Sequence, residues 1–563
     1  MTPCNSHRLL VFGLDGATFD LLQPWLDDNK LPCLARLCRD GVHGRLRSTT
    51  PPLSPEAWAT FMTGKDPGHH GVMNFLSLRP GSYQLEFSSG AQLQTFPFWR
   101  QLSDDGIRVG IVGVPMTYPP APVNGFLISG LDTPGGNSEF TYPRELQAEL
   151  DRAVGGYDIH GEFLDTNDPH AYCDRILRMM RNQSDAVSHL LQRYPVDLSI
   201  FVMTATDRIQ HYFWRLLNPN HPAHEPDLAH SLADNIHQIY AAADSTIQRI
   251  IDQTPDPKTV LIISDHGFGP CHSVVHLNSW LADRGYLTTR ANRSGADGIV
   301  GRFRRALATA ISRSAKDWLK SKMPALRQRL DSYLLLNRID WARTRAFSLD
   351  LQYGYIYINR RDRFPEGAVA AGSEAEALSH RIASDLLDLR DPDSGAPVVR
   401  EVHETSTLYT GPAATSLPDL IVEWEDGYIA RTNTAAPIGE ARDDSFIERR
   451  PSPARSSTFI PEEWSGCHRP EGILIAHGPD LNAPAKISGS RIIDIAPSIL
   501  YLLDQPVPKD FGGQVLTEMF RPERLATQPV RFREPTHSQP PPPSVTSSDT
   551  DPIERLRDLG YLD

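Results

Sequence analysis

The chain has 563 residues and a formal net charge of −13, and 40% of its residues are hydrophobic and 22% charged. This length exceeds that of one compact domain and predicts two or three structural units, while the composition is typical of a soluble globular protein. The acidic balance argues against a broad basic surface for nucleic acid, so an anionic substrate has to be attracted locally, for example by bound metal.

The N-terminal residues are polar and lead into an apolar strand, without the features of a signal peptide. No apolar run reaches the roughly 18 residues of a membrane span. The cysteines lack the spacing of a disulfide framework or zinc finger and indicate free or buried thiols in a reducing compartment. The sequence therefore predicts a cytoplasmic protein without a membrane partner and leaves its oligomeric state open. The cysteines are Cys4, Cys33, Cys38, Cys173, Cys271 and Cys467.

Strand-like and helical segments alternate along the first half of the chain. Four short apolar runs suit strands that are buried on both faces, as in a parallel sheet covered by helices. The runs are Leu9–Phe12, Arg108–Val114, Leu198–Met203 and Val260–Ile263. The helical patterns are Pro32–Asp40, Phe98–Asp105, Pro143–Ala153, His170–Tyr194 and Ser231–Asp252. This alternation predicts a layered α/β core, in which ligands bind beyond the carboxyl ends of the strands.

The stretch from 278 to 455 has a different character and predicts a cap domain inserted into the core. It contains a basic helical region at 302–329, a strand-like aromatic segment at 353–357, a helix at 374–389 and a strand-like segment at 419–423. Residues 435–457 predict a mobile loop leading back to the core, which resumes with a strand at 472–476 and a helix at 491–503. The predicted units are a core in two parts at 1–277 and 456–526, the cap at 278–455, a disordered linker at 527–551 and a short C-terminal helix at 552–563.

Four distant segments carry acidic and imidazole side chains close to apolar runs. They are Gly13–Gly16, Asp207–His211, Ser264–Gly267 and Gly466–His468. The first three follow predicted strands, and their carboxylates can converge at one edge of the sheet. Together the segments offer three carboxylates and three imidazoles, enough for two divalent ions, which points to phosphoryl hydrolysis or transfer.

Each of these segments has a structural alternative when it is taken alone. An Asp-His pair is often part of a surface loop or a helix cap, and Asp15 could cap the next helix. His468 lies in what we predict to be a flexible polar segment, and Gly267 and Gly269 predict a relaxed loop around Asp265 and His266. Because the four segments occur together in similar settings, the combination favours the metal site.

A further segment carries the resemblance to a known family. Residues 51–64 place Ser54 ahead of Thr63-Gly64, and Pro67-Gly68-His69-His70-Gly71 follows. With the four segments above, this arrangement resembles the alkaline phosphatase superfamily, in particular its type I phosphodiesterase/nucleotide pyrophosphatase group and its bacterial phosphohydrolase relatives. The resemblance covers about residues 9–275 and 460–510. It implies an alkaline phosphatase-like three-layer sandwich with a mostly parallel sheet and an inserted cap domain.

The resemblance also implies roles for individual residues. Ser54 corresponds to the nucleophile that forms a phosphoryl-serine intermediate. Two divalent ions, zinc with manganese as the alternative, would be held by one group of Asp207, His211 and His468 and by a second group of Asp15, Asp265, His266 and the Ser54 oxygen. Three further histidines match positions that are not ligands, namely His69, His70 and His477. Arg208 and Lys65 are the nearby cations that could contact substrate phosphate, although surface positions suit both equally well.

Departures from the family pattern bear on the substrate. The phosphodiesterase branch commonly has an asparagine three residues after the nucleophile, where this chain has Ala57. Pro55 and Trp58 depart from the sulfatase pattern, so a sulfatase is disfavoured. Two divalent ions would roughly neutralise three carboxylates and a serine alkoxide, and a near-neutral site modestly favours a singly charged diester.

The predicted function is therefore a metal-dependent hydrolase that cleaves small phosphate esters, of the phosphodiesterase or nucleotide pyrophosphatase type. A phosphomonoesterase and a phosphoglycerate-type phosphomutase are the alternatives within the enzyme class. A non-catalytic binding protein with a degenerate site is the alternative from a different class.

Overall fold

The computed structural model describes residues 8–135, 138–161, 168–290, 338–349, 353–431, 446–449 and 464–535. Several predicted segments lie outside these ranges, namely the basic helical region at 302–329, most of the loop at 435–457 and the C-terminal helix at 552–563. Among the described residues, no helix combines the length and apolar character needed to cross a membrane.

The strands are numbered in chain order. They are β1 Arg8–Leu14, β2 Val42–Arg47, β3 Leu76–Leu78, β4 Leu85–Phe87, β5 Val109–Val112, β6 Gly125–Ile128, β7 Thr141–Tyr142, β8 Leu198–Met203, β9 Lys258–Ile263, β10 Gly267–His276, β11 Ala346–Phe347, β12 Tyr355–Ile358, β13 Val399–Glu404, β14 Leu420–Trp424, β15 Gly427–Arg431, β16 Ile447–Arg449, β17 Gly466–Arg469, β18 Glu471–His477, β19 Ala485–Arg491, β20 Val507–Pro508 and β21 Phe532–Arg533.

The α-helices are numbered in the same way. They are α1 Phe19–Asp27, α2 Pro32–Asp40, α3 Ser54–Thr63, α4 Pro67–His70, α5 Phe98–Asp104, α6 Leu146–Val154, α7 Pro169–Arg193, α8 Ala205–Leu217, α9 Pro226–Gln253, α10 Leu277–Asp283, α11 Ser373–Leu387, α12 Thr405–Leu408, α13 Ile495–Leu502 and α14 Pro522–Thr527.

The described residues form a large central sheet of nine strands in the order β19-β2-β18-β9-β1-β8-β5-β6-β7. The neighbouring strands β9, β1, β8, β5 and β6 are parallel to one another. Strands β18 and β7 run antiparallel to their neighbours, and β2 and β19 pair in parallel. The sheet is thus mostly parallel, which confirms the predicted fold class.

Both faces of this sheet are covered, as the continuous apolar runs predict. Along β1, Leu10 and Phe12 pack into one buried cluster with α2, α7 and α9, whereas Leu9 and Val11 pack into another with α3 and α13. Successive side chains of a strand point to opposite faces, so a strand buried on both sides has to be apolar throughout. The core therefore has three layers, helices on either side of the sheet.

A second, smaller sheet of four strands, in the order β11-β12-β14-β13, arises from the part of the chain between β10 and β17. It shares a buried apolar cluster with α10 and α11. Two tyrosine hydroxyls tie this region to the core, because Tyr355 donates to the Met73 carbonyl at 3.1 Å and Tyr409 donates to the Thr50 carbonyl at 2.8 Å. The boundaries of the predicted cap domain stay predictions.

The structure differs from the sequence-based predictions at three places. Gly267–His276 forms strand β10 and Gly466–Arg469 forms strand β17, where we predicted loops, because the two segments pair antiparallel with each other. Residues Phe532–Arg533, within the predicted disordered linker, pair with β20. Isolated glycines and prolines lower the local strand signal, and only the partner strand satisfies these backbone groups.

The N-terminus of helix α2 depends on a side chain that is distant in sequence. Its flanking residue Leu31 supplies no side-chain cap. Instead, Asp244 of α9 accepts hydrogen bonds from the Cys33 and Leu34 amides at 3.1 and 2.8 Å. The buried Asp244 carboxylate thus satisfies amides that have no partner within their own helix.

We predict that Asp244→Ala lowers the free energy of unfolding by about 3 kcal/mol, because it leaves two buried amides without an acceptor. Urea denaturation followed by far-UV circular dichroism measures this loss. Asp252→Ala, an exposed position on the same helix, is the matched control and should change stability by less than about 0.5 kcal/mol. An Asp244→Ala protein as stable as this control would contradict the capping role.

Candidate metal centre and nucleophile

The site lies at the carboxyl ends of three adjacent parallel strands, β9, β1 and β8. Asp15 directly follows β1, and Asp265 and His266 occupy the short link between β9 and β10. Helix α8 begins two residues after β8 and carries Asp207 and His211 on one face, as their spacing predicts. Because these strands are neighbours, their ends bring residues some 250 positions apart into one cluster.

Hydrogen bonds between the three strand-end loops hold this cluster together. The Thr206 hydroxyl donates to the Asp15 carbonyl at 2.7 Å, and the Gln210 side-chain amide donates to the Gly16 carbonyl at 2.8 Å. The Gly16 amide donates to Asp265 Oδ1 at 3.2 Å. Gly16 adopts a φ of 68°, a left-handed conformation that favours glycine. Asp15 is not a helix cap, since the N-cap of α1 is Thr18.

Strand β17 brings His468 to the same edge. Its pairing with β10 places His468 opposite Phe268, and the His468 ring stacks on the His266 ring with centroids 3.5 Å apart. The indole of Trp464 stacks on the His211 ring at 3.7 Å. Packing between rings therefore fixes the orientation of all three imidazoles.

Ser54 is the first residue of helix α3, and its Oγ lies 3.0 Å from His266 Nε2. Pro55 has no amide hydrogen, and the Ala57 amide donates to the Leu53 carbonyl at 2.7 Å. The amides of Ser54 and Glu56 are thus the remaining donors of the first turn, and Ala57 offers no polar side chain.

One group of possible metal ligands consists of Asp207, His211 and His468. Asp207 Oδ1 lies 3.3 Å from His211 Nε2 and 3.2 Å from His468 Nε2, and the two nitrogens are 3.0 Å apart. Each ring directs its Nδ1 at a backbone carbonyl, that of Gly466 at 3.2 Å and that of Pro52 at 2.9 Å. Since a carbonyl oxygen only accepts, each Nδ1 donates to it, and the two Nε2 atoms face the Asp207 carboxylate.

A second group consists of Asp15, Asp207 and His266, with Asp265 beside it. His266 Nε2 lies 3.6 Å from Asp15 Oδ1, 3.9 Å from Asp207 Oδ1 and 3.3 Å from Asp265 Oδ2. Its Nδ1 donates to the Gly267 carbonyl at 3.0 Å, which leaves Nε2 facing these carboxylates and the Ser54 hydroxyl.

The donor set fits divalent cations. Three carboxylate oxygens of these candidate ligands are buried and make no hydrogen bond to the described residues, namely Asp15 Oδ1, Asp207 Oδ1 and Asp265 Oδ2. Each of these oxygens faces an imidazole nitrogen, and a divalent cation between the atoms would supply the partner that a buried carboxylate needs. Nitrogen and oxygen ligands of this kind suit zinc and similar ions.

The pKa values of these groups reflect burial and mutual repulsion. Burial, with the Asp265 and Asp207 charges, raises the pKa of Asp15 well above its ordinary value, and burial raises that of Asp265 to about 7. Burial also acts to raise the pKa of Asp207, but the neighbouring His211 and His468 outweigh it and hold this pKa well below the ordinary value. Three carboxylates this close together need positive charge to be ionised at once.

The structure does not bring Lys65 to this cluster. Lys65 follows the C-terminal end of α3, about 15 Å along the helix from Ser54, and forms an ion pair with Asp510. Arg208 lies on α8 beside Asp207, but its guanidinium donates to the His160 carbonyl and contacts Met179 Sδ at 3.9 Å.

The histidines that we set aside from the ligand set lie elsewhere, and His69 and His70 have partners of other kinds. His70 Nε2 lies 3.0 Å from Thr60 Oγ1 and its Nδ1 accepts from the Val72 amide, while His69 pairs with Asp66. His477 ends strand β18.

Three buried residues near the site were not identified from the sequence. Trp58 donates its indole hydrogen to Asp15 Oδ2 at 3.1 Å, and Trp464 stacks on His211. Glu56 is fully buried, and burial raises its pKa well above the ordinary value. The Tyr409 hydroxyl reaches both the Thr50 carbonyl and, at 3.1 Å, Glu56 Oε1. The only sequence signal for Trp58 and Glu56 is their position in the helix that begins at Ser54.

Solved structures of two other proteins superpose on this chain. Phosphonoacetate hydrolase from Sinorhizobium meliloti superposes with a TM-score of 0.50 at 12% identity, over 87% of this chain and 94% of that one. Human ectonucleotide pyrophosphatase/phosphodiesterase 5 superposes with a TM-score of 0.49 at 12% identity, over 92% and 99%. At this identity the first likeness shows a shared alkaline phosphatase-like fold. No curated protein sequence matches the chain.

The sequence profile of the type I phosphodiesterase / nucleotide pyrophosphatase family matches residues 9–446, which is most of the chain. This match confirms the resemblance drawn from the motifs, and the superposition agrees with it. The chain therefore belongs to the type I phosphodiesterase / nucleotide pyrophosphatase family and is a hydrolase of phosphoric ester bonds.

Proposed function

We propose that the chain is a metal-dependent phosphodiesterase whose nucleophile is Ser54. One observation carries this proposal: the Ser54 hydroxyl lies 3.0 Å from His266 Nε2, at the rim of a buried set of imidazoles and of carboxylate oxygens that lack a hydrogen-bond partner among the described residues. A hydroxyl is a weak nucleophile at its ordinary pKa and needs such a site to activate it.

In this proposal Asp207, His211 and His468 would hold one divalent cation. Asp15, Asp265 and His266, with the Ser54 oxygen, would hold a second. Zinc suits this mixture of nitrogen and oxygen donors, and manganese is the alternative. When bound, the two ions supply positive charge that lowers the pKa of the serine hydroxyl and stabilises charge on the phosphoryl and leaving oxygens.

The residues of the chain then perform a two-step displacement. Ser54 Oγ gives up its proton and forms a bond to phosphorus, while the bond to the leaving oxygen breaks and that oxygen departs with the electron pair and takes up a proton. Water attacks the phosphoryl-serine, the Oγ–phosphorus bond breaks, and the serine hydroxyl is restored. Because α3 begins at Ser54, the attacking oxygen is held by a rigid helix.

The charge around the site supports a diester as the substrate. Two divalent ions would roughly cancel three carboxylates and a serine alkoxide, which suits a singly charged diester. A doubly charged monoester would gain from a further cation near the phosphate. Of the two candidates, Lys65 forms an ion pair with Asp510 beyond the far end of α3, and the Arg208 guanidinium donates to the His160 carbonyl.

The compartment that we propose is the cytoplasm. Four of the described cysteines are free thiols, namely Cys33, Cys38, Cys173 and Cys467. Free thiols persist in reducing compartments.

We predict that Ser54→Ala abolishes at least about 99% of the hydrolysis of bis-p-nitrophenyl phosphate, because it removes the attacking oxygen. Release of p-nitrophenolate by zinc-loaded protein measures this loss, and p-nitrophenyl phosphate in parallel separates diesterase from monoesterase activity. Ser54→Thr, which keeps a hydroxyl, should retain measurable activity. Ser188→Ala, a buried serine of α7, is the control and should be unchanged. Full activity in Ser54→Ala would disprove the nucleophile assignment.

We predict that His468→Ala lowers the zinc content from about two ions per chain to about one, because the group with Asp207 and His211 loses a ligand. Mass spectrometry of the metal content after dialysis measures the ratio. His477→Ala is the matched control, since this residue ends a strand of the same sheet and is outside the ligand set. A zinc content of about two in His468→Ala would show that His468 is not a ligand.

A further inference from the structure

One face of helix α3 contacts two members of the candidate metal centre. Ser54 and Trp58 are separated by one helical turn and therefore lie on the same face. Ser54 Oγ reaches His266 Nε2 at 3.0 Å, and the Trp58 indole nitrogen donates to Asp15 Oδ2 at 3.1 Å. The helix that carries the nucleophile is thus also bonded to a candidate metal ligand.

The hydrogen bond from Trp58 gives the two oxygens of the Asp15 carboxylate different contacts. Oδ2 accepts the indole hydrogen, whereas Oδ1 makes no hydrogen bond to any described residue and lies 3.6 Å from His266 Nε2. The backbone of Asp15 is held as well, because its amide donates to the Met203 carbonyl at 3.2 Å and its carbonyl accepts from Thr206. Because the backbone and Oδ2 of Asp15 are held in place, Oδ1 is directed toward the candidate metal ligands, with His266 Nε2 at 3.6 Å.

The core strand β1 leaves room for this indole. A Cβ atom on Gly13 would lie 2.5 Å from Trp58 Cη2 and 2.8 Å from Val202 Cγ2, which is too close for either contact. Glycine in a strand interior weakens the strand, and its presence often marks a close approach of another group. Trp58 is completely buried, so the surrounding side chains fix the position of its ring.

We infer that Trp58 is a positioning residue, which aims Asp15 Oδ1 at the metal held with Asp265 and His266. The inference rests on the proposed function. Groups that orient a metal ligand through its other polar atom commonly change metal affinity by about 10- to 100-fold when they are removed. The effect should be confined to the group that contains Asp15, because Trp58 makes no described hydrogen bond to Asp207, His211 or His468.

The test compares zinc binding in variants that keep an aromatic ring at position 58 but lose the indole hydrogen. Trp58→Phe is the first variant. The second is site-specific replacement of Trp58 by benzothienylalanine, which retains a bicyclic ring and therefore preserves the packing if the phenylalanine variant misfolds. Trp280→Phe is the matched control, because Trp280 is also fully buried but its indole nitrogen has no hydrogen-bond partner among the described residues. Zinc affinity is measured by titrating metal-free protein in the presence of a chelating indicator.

We expect both Trp58 variants to weaken one zinc site by about 10- to 100-fold and to leave the other unchanged, with activity partly recovered at high zinc concentration. The unfolding temperature in EDTA, where no metal is bound, distinguishes a role of Trp58 in positioning Asp15 from a role in packing the core. The benzothienylalanine protein should unfold at the same temperature as wild type in EDTA and at a lower temperature in zinc. Trp280→Phe should bind zinc like wild type.

Unchanged affinity at both sites in the Trp58 variants would overturn this inference alone. Equal weakening of both sites, accompanied by an equal loss of thermal stability in EDTA, would also overturn it and assign Trp58 a packing role. A wild-type protein that binds no zinc or manganese would overturn the proposed function together with this inference.

Discussion

The adjacency of strands β9, β1 and β8 is the constraint on which the rest of the site depends. Each strand is followed within a few residues by an aspartate, in a loop or, after β8, in the first turn of α8, and parallel pairing places the three ends at one edge. Three buried carboxylates in such a place repel one another, and burial adds to the cost of ionising them. The protein surrounds these carboxylates with imidazoles whose Nδ1 atoms donate to backbone carbonyls, an arrangement that suits a cation.

The second sheet affects the site through the segment that precedes the nucleophile. Tyr409 donates to the Thr50 carbonyl and contacts Glu56, two residues after Ser54. Since a tyrosine hydroxyl has one hydrogen and a carbonyl only accepts, a protonated Glu56 suits the second contact, in agreement with its raised pKa. A neutral Glu56 adds no negative charge beside a serine that would receive an anionic phosphate. The part of the chain between β10 and β17 thus supports the start of α3.

The limits of prediction are visible in particular residues. The fold class, the spacing of Asp207 and His211 and the strands that precede Asp15 and Asp265 follow from apolar runs and local periodicity, and the structure has them in these places. The strand character of β10 and β17 did not follow, because glycine and proline obscure it and each strand depends on a partner about 200 residues away. The placement of Lys65 and the contact of Trp58 with Asp15 could not be predicted either, since the direction of a side chain depends on long-range packing.

The sequence by itself determined which chemical groups the protein offers: three aspartates, three histidines and a serine in segments that follow strands or begin a helix. Residue type and short-range spacing carry this information, because donor chemistry and helical or strand periodicity are local properties. Only the tertiary structure decided that the three strand ends are neighbours, that His468 stacks on His266 and that the Trp58 indole bonds to one oxygen of Asp15. These relations join residues far apart in the chain, and they exist only after the sheet has paired and its faces have packed.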